Sequence, residues 1–164
     1  MKSSEERLTW ALKSCEESDM RMTSVRKAIL EFLSEQRKPA NLESVSHARG
    51  VRDECDATTV YRTLMVFKDA GLVRCVGMLR KMSHFVLNVP EDTSHFLICE
   101  RCGTAVELDV SIELLEALDR LAVEHGFAAG GQRMDLHGVC RVCEDAKRRE
   151  APAVKVMARH CFVL

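Results

Sequence analysis

Four cysteines carry the clearest chemistry in this chain of 164 residues. They fall in two pairs of identical spacing, Cys99-Glu100-Arg101-Cys102 followed by Gly103, and Cys140-Arg141-Val142-Cys143. Two residues between sulfurs let a tight turn aim both at one centre, and a glycine just after the second sulfur relieves the backbone where the turn closes. Two such turns supply four thiolates, the complete ligand set of a closed tetrahedral site. No position is left for water or substrate, so Cys99, Cys102, Cys140 and Cys143 are expected to hold a structural zinc that ties distant segments together. A pair of disulfides or an iron–sulfur centre are the alternatives, and a redox Cys-x-x-Cys would need only one of the two pairs. A catalytic zinc requires an open coordination position and a general base, and no His-x-Glu signature accompanies these cysteines. The chain is therefore not expected to be an enzyme.

A second set of residues suits nucleic acid. Thr58, Thr59, Tyr61 and Arg62 open the pattern Ala57-Thr58-Thr59-Val60-Tyr61-Arg62-Thr63-Leu64, in which Val60, Leu64 and Phe67 mark a buried face. Short hydroxyls, one aromatic and one arginine at the N-terminal end of a helix can reach phosphates and base edges in a major groove. The competing interpretation of the same residues is a solvated helix face. Arg80 and Lys81, at the tip of a hairpin pattern, lie where a wing meets phosphates.

The elements that must position these residues can be read in order. Residues 5–17 have helical period with Ser4 as N-cap. Thr23 caps a second helix that stops near Pro39, and Asn41 caps a short third helix through Ala48, ended by Gly50. Asp56 caps a fourth helix, 57–70, closed by Gly71, and the runs 72–76 and 84–87 form a hairpin. Three helices and a hairpin make a winged helix-turn-helix, expected over residues 1–88. Val89-Pro90-Glu91-Asp92-Thr93 breaks the apolar pattern and is expected to be a hinge. Beyond it, strands at 96–99 and 104–108, a helix from Ser111 to His125, and a strand at 133–139 give a small α/β unit over 94–146, with a loose tail from 147 to 164. The fold class is thus α+β in two domains. The second unit leaves a sheet edge that another copy can cover, so a homodimer is expected.

Composition narrows the setting. Net charge is −1, so any surface for nucleic acid must be local. Eight cysteines, no signal-peptide pattern and no apolar run near about 18 residues suggest a soluble protein of the reducing cytoplasm with no membrane partner. Cys161-Phe162-Val163-Leu164 formally fits a prenylation box and is read as incidental.

From about Met20 to Glu144 the chain resembles the ferric uptake regulator family. The pieces that carry the resemblance are Arg21 to Arg26, Ala57 to Leu64, Gly71-Leu72-Val73, Leu97 to Gly103 and His137 to Cys143. The resemblance implies a metal-responsive, dimeric transcription factor with double-stranded operator DNA as partner. Iron- and peroxide-sensing members usually carry a histidine run before the first knuckle; here it reads Asp92-Thr93-Ser94-His95-Phe96. That departure resembles the zinc uptake regulator branch and implies a repressor of zinc-uptake genes, with an iron or peroxide sensor, or a member that has lost metal sensing, as alternatives. A second, regulatory zinc is implied at the hinge, from Cys75, His84, Glu107 and either Asp92 or His95. Otherwise Cys75 is a small core residue, His84 points to solvent and Glu107 is an edge charge. A ligand expected near the start of the wing falls instead on Arg74.

Overall fold

The computed structural model describes residues 2–79, 82–90, 94–128 and 133–150. The tip residues Arg80 and Lys81, the hinge residue Asp92 and Cys161 lie outside them.

Helix α1 (Ser4–Glu17) begins with a capping box: the Ser3 hydroxyl accepts from the Glu6 backbone N–H at 3.2 Å, and the Glu6 carboxylate accepts from the Ser3 N–H at 2.6 Å. The cap is Ser3 rather than the Ser4 expected from sequence. A box needs an acidic or amide side chain three residues on, and only Ser3 has one there. Thr23 caps α2 (Ser24–Glu35), and Asn41 caps α3 (Leu42–Ser46). Helix α3 ends two residues earlier than Ala48, and the chain turns through Val51, which is fully buried. Gly50 sits in that turn at φ 76°, with the place of a Cβ only 3.2 Å from the Ala28 methyl of α2. The handedness would strain any side chain there, and the close approach would force the Ala28 methyl to shift. Asp56 caps α4 (Ala57–Asp69) through a 2.7 Å bond from the Thr59 N–H.

Strand β1 (Ala40–Asn41), which the sequence pattern does not reveal, joins the hairpin of β2 (Val73–Leu79) and β3 (Met82–Leu87) in a sheet of order β1-β3-β2. The first core gathers Ile29, Leu30, Leu33, Val45, Val60, Leu64, Phe67, Leu72 and Phe85 from the helices and the hairpin. This is the winged helix.

The second sheet has the order β5-β4-β6, from β4 (His95–Cys99), β5 (Ala105–Leu108) and β6 (Asp135–Gly138). β4 and β6 run parallel, and α5 (Ile112–Glu124) makes the crossover. Ser111 has the backbone shape of a cap but makes no side-chain cap bond. A last helix, α6 (Arg141–Glu150), starts inside the second cysteine pair and continues past Lys147, from which the sequence suggested a loose tail. Seven of its ten residues are charged, so no apolar period betrays it.

Two faces of the hairpin do different work. Val73 and Leu87, with Phe85, turn to the winged-helix core, whereas Val76 and Val86 pack with Phe96, Ile98 and Ala105 of the second sheet. The second domain has little else inside it. No residue of α5 is buried, and Ile112, Leu114, Leu121 and Val123 stand between 48 and 71% exposed. Leu97, Val106 and Leu136 add to this apolar surface from the sheet. Large apolar side chains exposed on a helix and on one face of a sheet mark an association site. No helix among the described residues is long and apolar enough to cross a membrane.

Candidate metal centre and nucleic-acid face

The first knuckle is a turn at the end of β4. The Gly103 N–H donates to the Cys99 carbonyl at 2.9 Å with Gly103 at φ 74°, and the Cys99 N–H donates to the Thr104 carbonyl at 2.9 Å. The second knuckle is brought alongside by the parallel strand β6. The Glu100 N–H donates to the Gly138 carbonyl at 2.7 Å, the Cys140 N–H donates to the Cys99 sulfur at 3.2 Å, and Arg101 clasps the Cys143 carbonyl at 2.8 Å. The sulfurs of Cys99, Cys102, Cys140 and Cys143 thereby lie within 4.8 Å of one another, with Cys102 and Cys140 at 3.8 Å. Tetrahedral zinc bonds of about 2.3 Å require sulfurs roughly 3.8 Å apart, so the donors fit that ion in type and spacing. A disulfide would need about 2.05 Å, and all seven described cysteines are free.

Without metal, two of the thiols are shifted toward the thiolate and one away from it. Burial alone would push Cys99 up, but N–H groups of Cys140, Cys102 and Arg101 outweigh it and bring it down to about 6. A hydrogen bond with Thr104 lowers Cys102, while Cys143 is pushed up to about 12, by Cys140 foremost. Metal uptake must therefore release protons. The contribution of Cys99 as a thiolate is complete above the ordinary thiol value of 9.0 and is lost as pH falls through about 6. The affinity of the apo site for zinc is accordingly expected to fall steadily as pH falls, read at equilibrium with a colorimetric zinc indicator. An affinity independent of pH would contradict it.

On α4, Val60, Leu64 and Phe67 face the core, and Thr58, Thr59, Tyr61 and Arg62 are exposed, Tyr61 to 44%. The recognition set is thus presented together at one end of one helix.

The hinge set is not gathered in this way. Paired residues of a sheet share a face, and neighbours along a strand alternate. Cys75 pairs with Phe85, and His84 pairs with Val76, so Cys75 turns to the winged-helix core and His84 to the second domain. Glu107 pairs with Phe96 on the face toward the hairpin, whereas His95 pairs with Leu108 on the other. Among the described residues only the four sulfurs form a group of three or more ligand atoms at one point. Cys75 and His84 thus cannot share an ion across one strand pair, which corrects the expectation for Cys75. Buried His95 has its Nδ1 lone pair engaged by the Met134 N–H at 3.1 Å, and burial lowers its pKa. His84 is itself 7% exposed, not solvent-facing, and Glu107 is exposed. Sequence reasoning noted Arg74 only as standing where a ligand was expected and passed over Asp135; the two meet at 3.2 Å between the two domains. The available signal was a charge inside the apolar run Leu72-Val73-Arg74-Cys75-Val76.

A winged helix followed by a cysteine-stapled α/β unit defines a class of DNA-binding regulator. The model of the ferric uptake regulator family matches residues 17–137, and this chain belongs to that family of metal-responsive transcription regulators. It is 34% identical over 134 residues to a ferric uptake regulation protein of Rhizobium leguminosarum bv. viciae, covering 80% of this chain and 92% of the relative. Among solved structures it is similar to a zinc-bound manganese uptake regulator, with TM-score 0.58, 32% identity, and 79% of this chain and 98% of that one covered. It is also similar to a zinc uptake regulator complexed with zinc and DNA, with TM-score 0.52, 26% identity, and 90% and 99% covered.

Proposed function

We propose that this chain is a zinc-responsive repressor of zinc-uptake genes, acting in the cytoplasm as a homodimer on double-stranded operator DNA. The observation that carries the reading is the pairing of an exposed recognition face on α4 with a four-thiolate centre in a second domain whose helix α5 buries none of its apolar residues. Cys99, Cys102, Cys140 and Cys143 hold the structural zinc. A second copy covers α5 and the free sheet edge. Thr58, Thr59, Tyr61 and Arg62 enter the major groove, with Arg80 and Lys81 on phosphates.

For sensing, the donors on facing sides of the hinge are His84 and Glu107, with Asp92 from the linker between them in sequence. Imidazole and carboxylate donors suit zinc, and the chain lacks the histidine run of iron sensors. Bound zinc supplies a divalent bridge. His84 and Glu107 would translate its presence into one preferred orientation of the winged domains, a shift of population rather than a new contact with DNA.

The test is duplex binding against zinc, iron(II) and manganese(II), using a duplex selected in vitro on the full chain. Zinc is expected to support binding at the lowest free concentration. Arg62→Ala and Tyr61→Ala are expected to weaken binding by about 1–3 kcal/mol. Each should change stability by less than about 0.5 kcal/mol, because both side chains are exposed. Unchanged affinity in both variants removes α4 as the reading helix, and preference for iron(II) transfers the chain to an iron-sensing role.

A further inference from the structure

One guanidinium spans the gap between the hairpin and the second sheet. Arg74 Nη1 donates to both carboxylate oxygens of Asp135, at 3.2 and 3.3 Å. Its Nη2 donates to the Ser94 carbonyl at 2.9 Å, and its Cζ lies 5.2 Å from the centre of the Phe96 ring. Arg74 belongs to the winged domain, and every one of these partners belongs to the other. The register explains the meeting: Arg74 shares the outward face of the hairpin with Val76, and Asp135 pairs with Phe96 on the facing side of the second sheet. A second arginine crosses the other way. Arg133 donates to the Asn88 side chain and, at 3.3 Å, to the Val89 carbonyl.

The apolar contact of Val76 and Val86 with Phe96, Ile98 and Ala105 holds the domains together but is non-directional, so it tolerates sliding and rotation. A planar fork that must satisfy a carboxylate, a carbonyl and a ring face at once does not. The pair is well shielded, at 15 and 28% side-chain exposure, so salt screens it less than a surface pair. Breaking it leaves the remaining half-buried charge without its partner.

We propose that Arg74 is a positioning residue for operator recognition: it restrains the angle of the winged domain on the dimerisation sheet, and hence the separation of the two recognition helices, beside the bridge that zinc would supply at the hinge. The statement rests on the DNA-binding reading above. It assigns to a side chain of this protein an inter-domain bridge separate from the metal-sensing donors.

The experiment uses the full chain with its tetrathiolate metal retained and labile metal removed by brief treatment with EDTA. Fluorophores are placed at the exposed residues Glu16 and Asp109 as unnatural amino acids, and labelled chains are diluted into unlabelled ones. The parent is expected to give a narrower distance distribution than any of the variants. Arg74→Met, which keeps the apolar stem, and Asp135→Asn should each broaden it, Arg74→Lys should fall between, and the double variant should be no worse than the poorer single one. With zinc restored to parent and variants alike, Arg74→Met should lose affinity for a duplex selected in vitro roughly 5- to 150-fold, the range of ordinary inter-site coupling. It should bind a single half-site unchanged and no longer distinguish operators whose half-sites are moved by one base pair. Identical distance distributions in parent and Arg74→Met overturn the proposal, as does an equal loss on the half-site. If the selection retains no duplex, the DNA-binding reading fails, and the distances alone decide whether Arg74 orients the domains. Adding zinc to the parent reports separately on sensing.

Discussion

Cys99→Ser is expected to yield a chain that purifies without its tetrathiolate metal, as a monomer whose second domain is unfolded. A closed thiolate zinc site contributes folding free energy on the order of 10 kcal/mol, comparable to the entire net stability of an ordinary domain. The second domain has little with which to replace it. Its buried residues among those described are Phe96, Ile98, Cys99 and Ala105 with His95, two of the hydrophobic contacts come from the hairpin, and α5 contributes only half-buried side chains within the subunit. The Cys99 sulfur also accepts the Cys140 N–H, so the substitution weakens the seam between the knuckles as well as the metal site. Metal content per chain, sedimentation equilibrium and circular dichroism measure the outcome. A folded, metal-free dimer would show that β4, β5 and β6 hold without the staple.

Phe67→Ala is expected to cost about 3–5 kcal/mol, the usual penalty for an aromatic removed from a closed core. Phe67 is completely buried on α4 among Leu64, Leu72 and Phe85. Against a domain stability of about 5–15 kcal/mol, that loss moves the winged helix to the edge of unfolding. Duplex binding should fail while the four-thiolate metal stays in place. Urea unfolding followed by Trp10 fluorescence, with metal content measured in parallel, separates the two domains, since Trp10 lies on α1 against the first core. A shift below about 1 kcal/mol would mean that the cavity collapses, in keeping with the spread seen at core sites. Loss of metal together with the winged helix would mean that the domains do not fold separately.

The parts of this molecule that were legible in the sequence are those decided by neighbours in the chain. Thr23, Asn41 and Asp56 cap where expected, because a cap needs only its own hydroxyl or carbonyl oxygen and an N–H three residues away. The Cys-x-x-Cys turns are local in the same sense. Cys75 was misjudged for a different reason. The hairpin is buried on both faces, with Val73, Phe85 and Leu87 toward one core and Val76 and Val86 toward the other. No alternation of apolar and polar residues then tells which face any position takes. Strand β1 is two residues long and exists only because β3 lies beside it. The Arg74–Asp135 contact joins residues 61 apart, and its existence depends on two strand registers and the approach of two sheets. Helix α6 was hidden by its own composition: Val142, Cys143 and Ala146 are its only apolar residues.

The cluster of Val76 and Val86 with Phe96, Ile98 and Ala105 has a consequence for anyone who would exchange modules between relatives. The linker at 89–93 looks like the natural seam for a chimaera. A cut there passes through the middle of a packed interior, handing two valines to one parent and a phenylalanine, an isoleucine and an alanine to the other. A wing grafted from another regulator arrives with side chains shaped for a different sheet, and the hybrid inherits a cavity or a clash at the joint. A crossover ahead of β2, near Gly71, only moves the cut into the other core, where Val73, Phe85 and Leu87 pack against the helices of the winged domain. The heritable unit is therefore both domains with the hairpin between them.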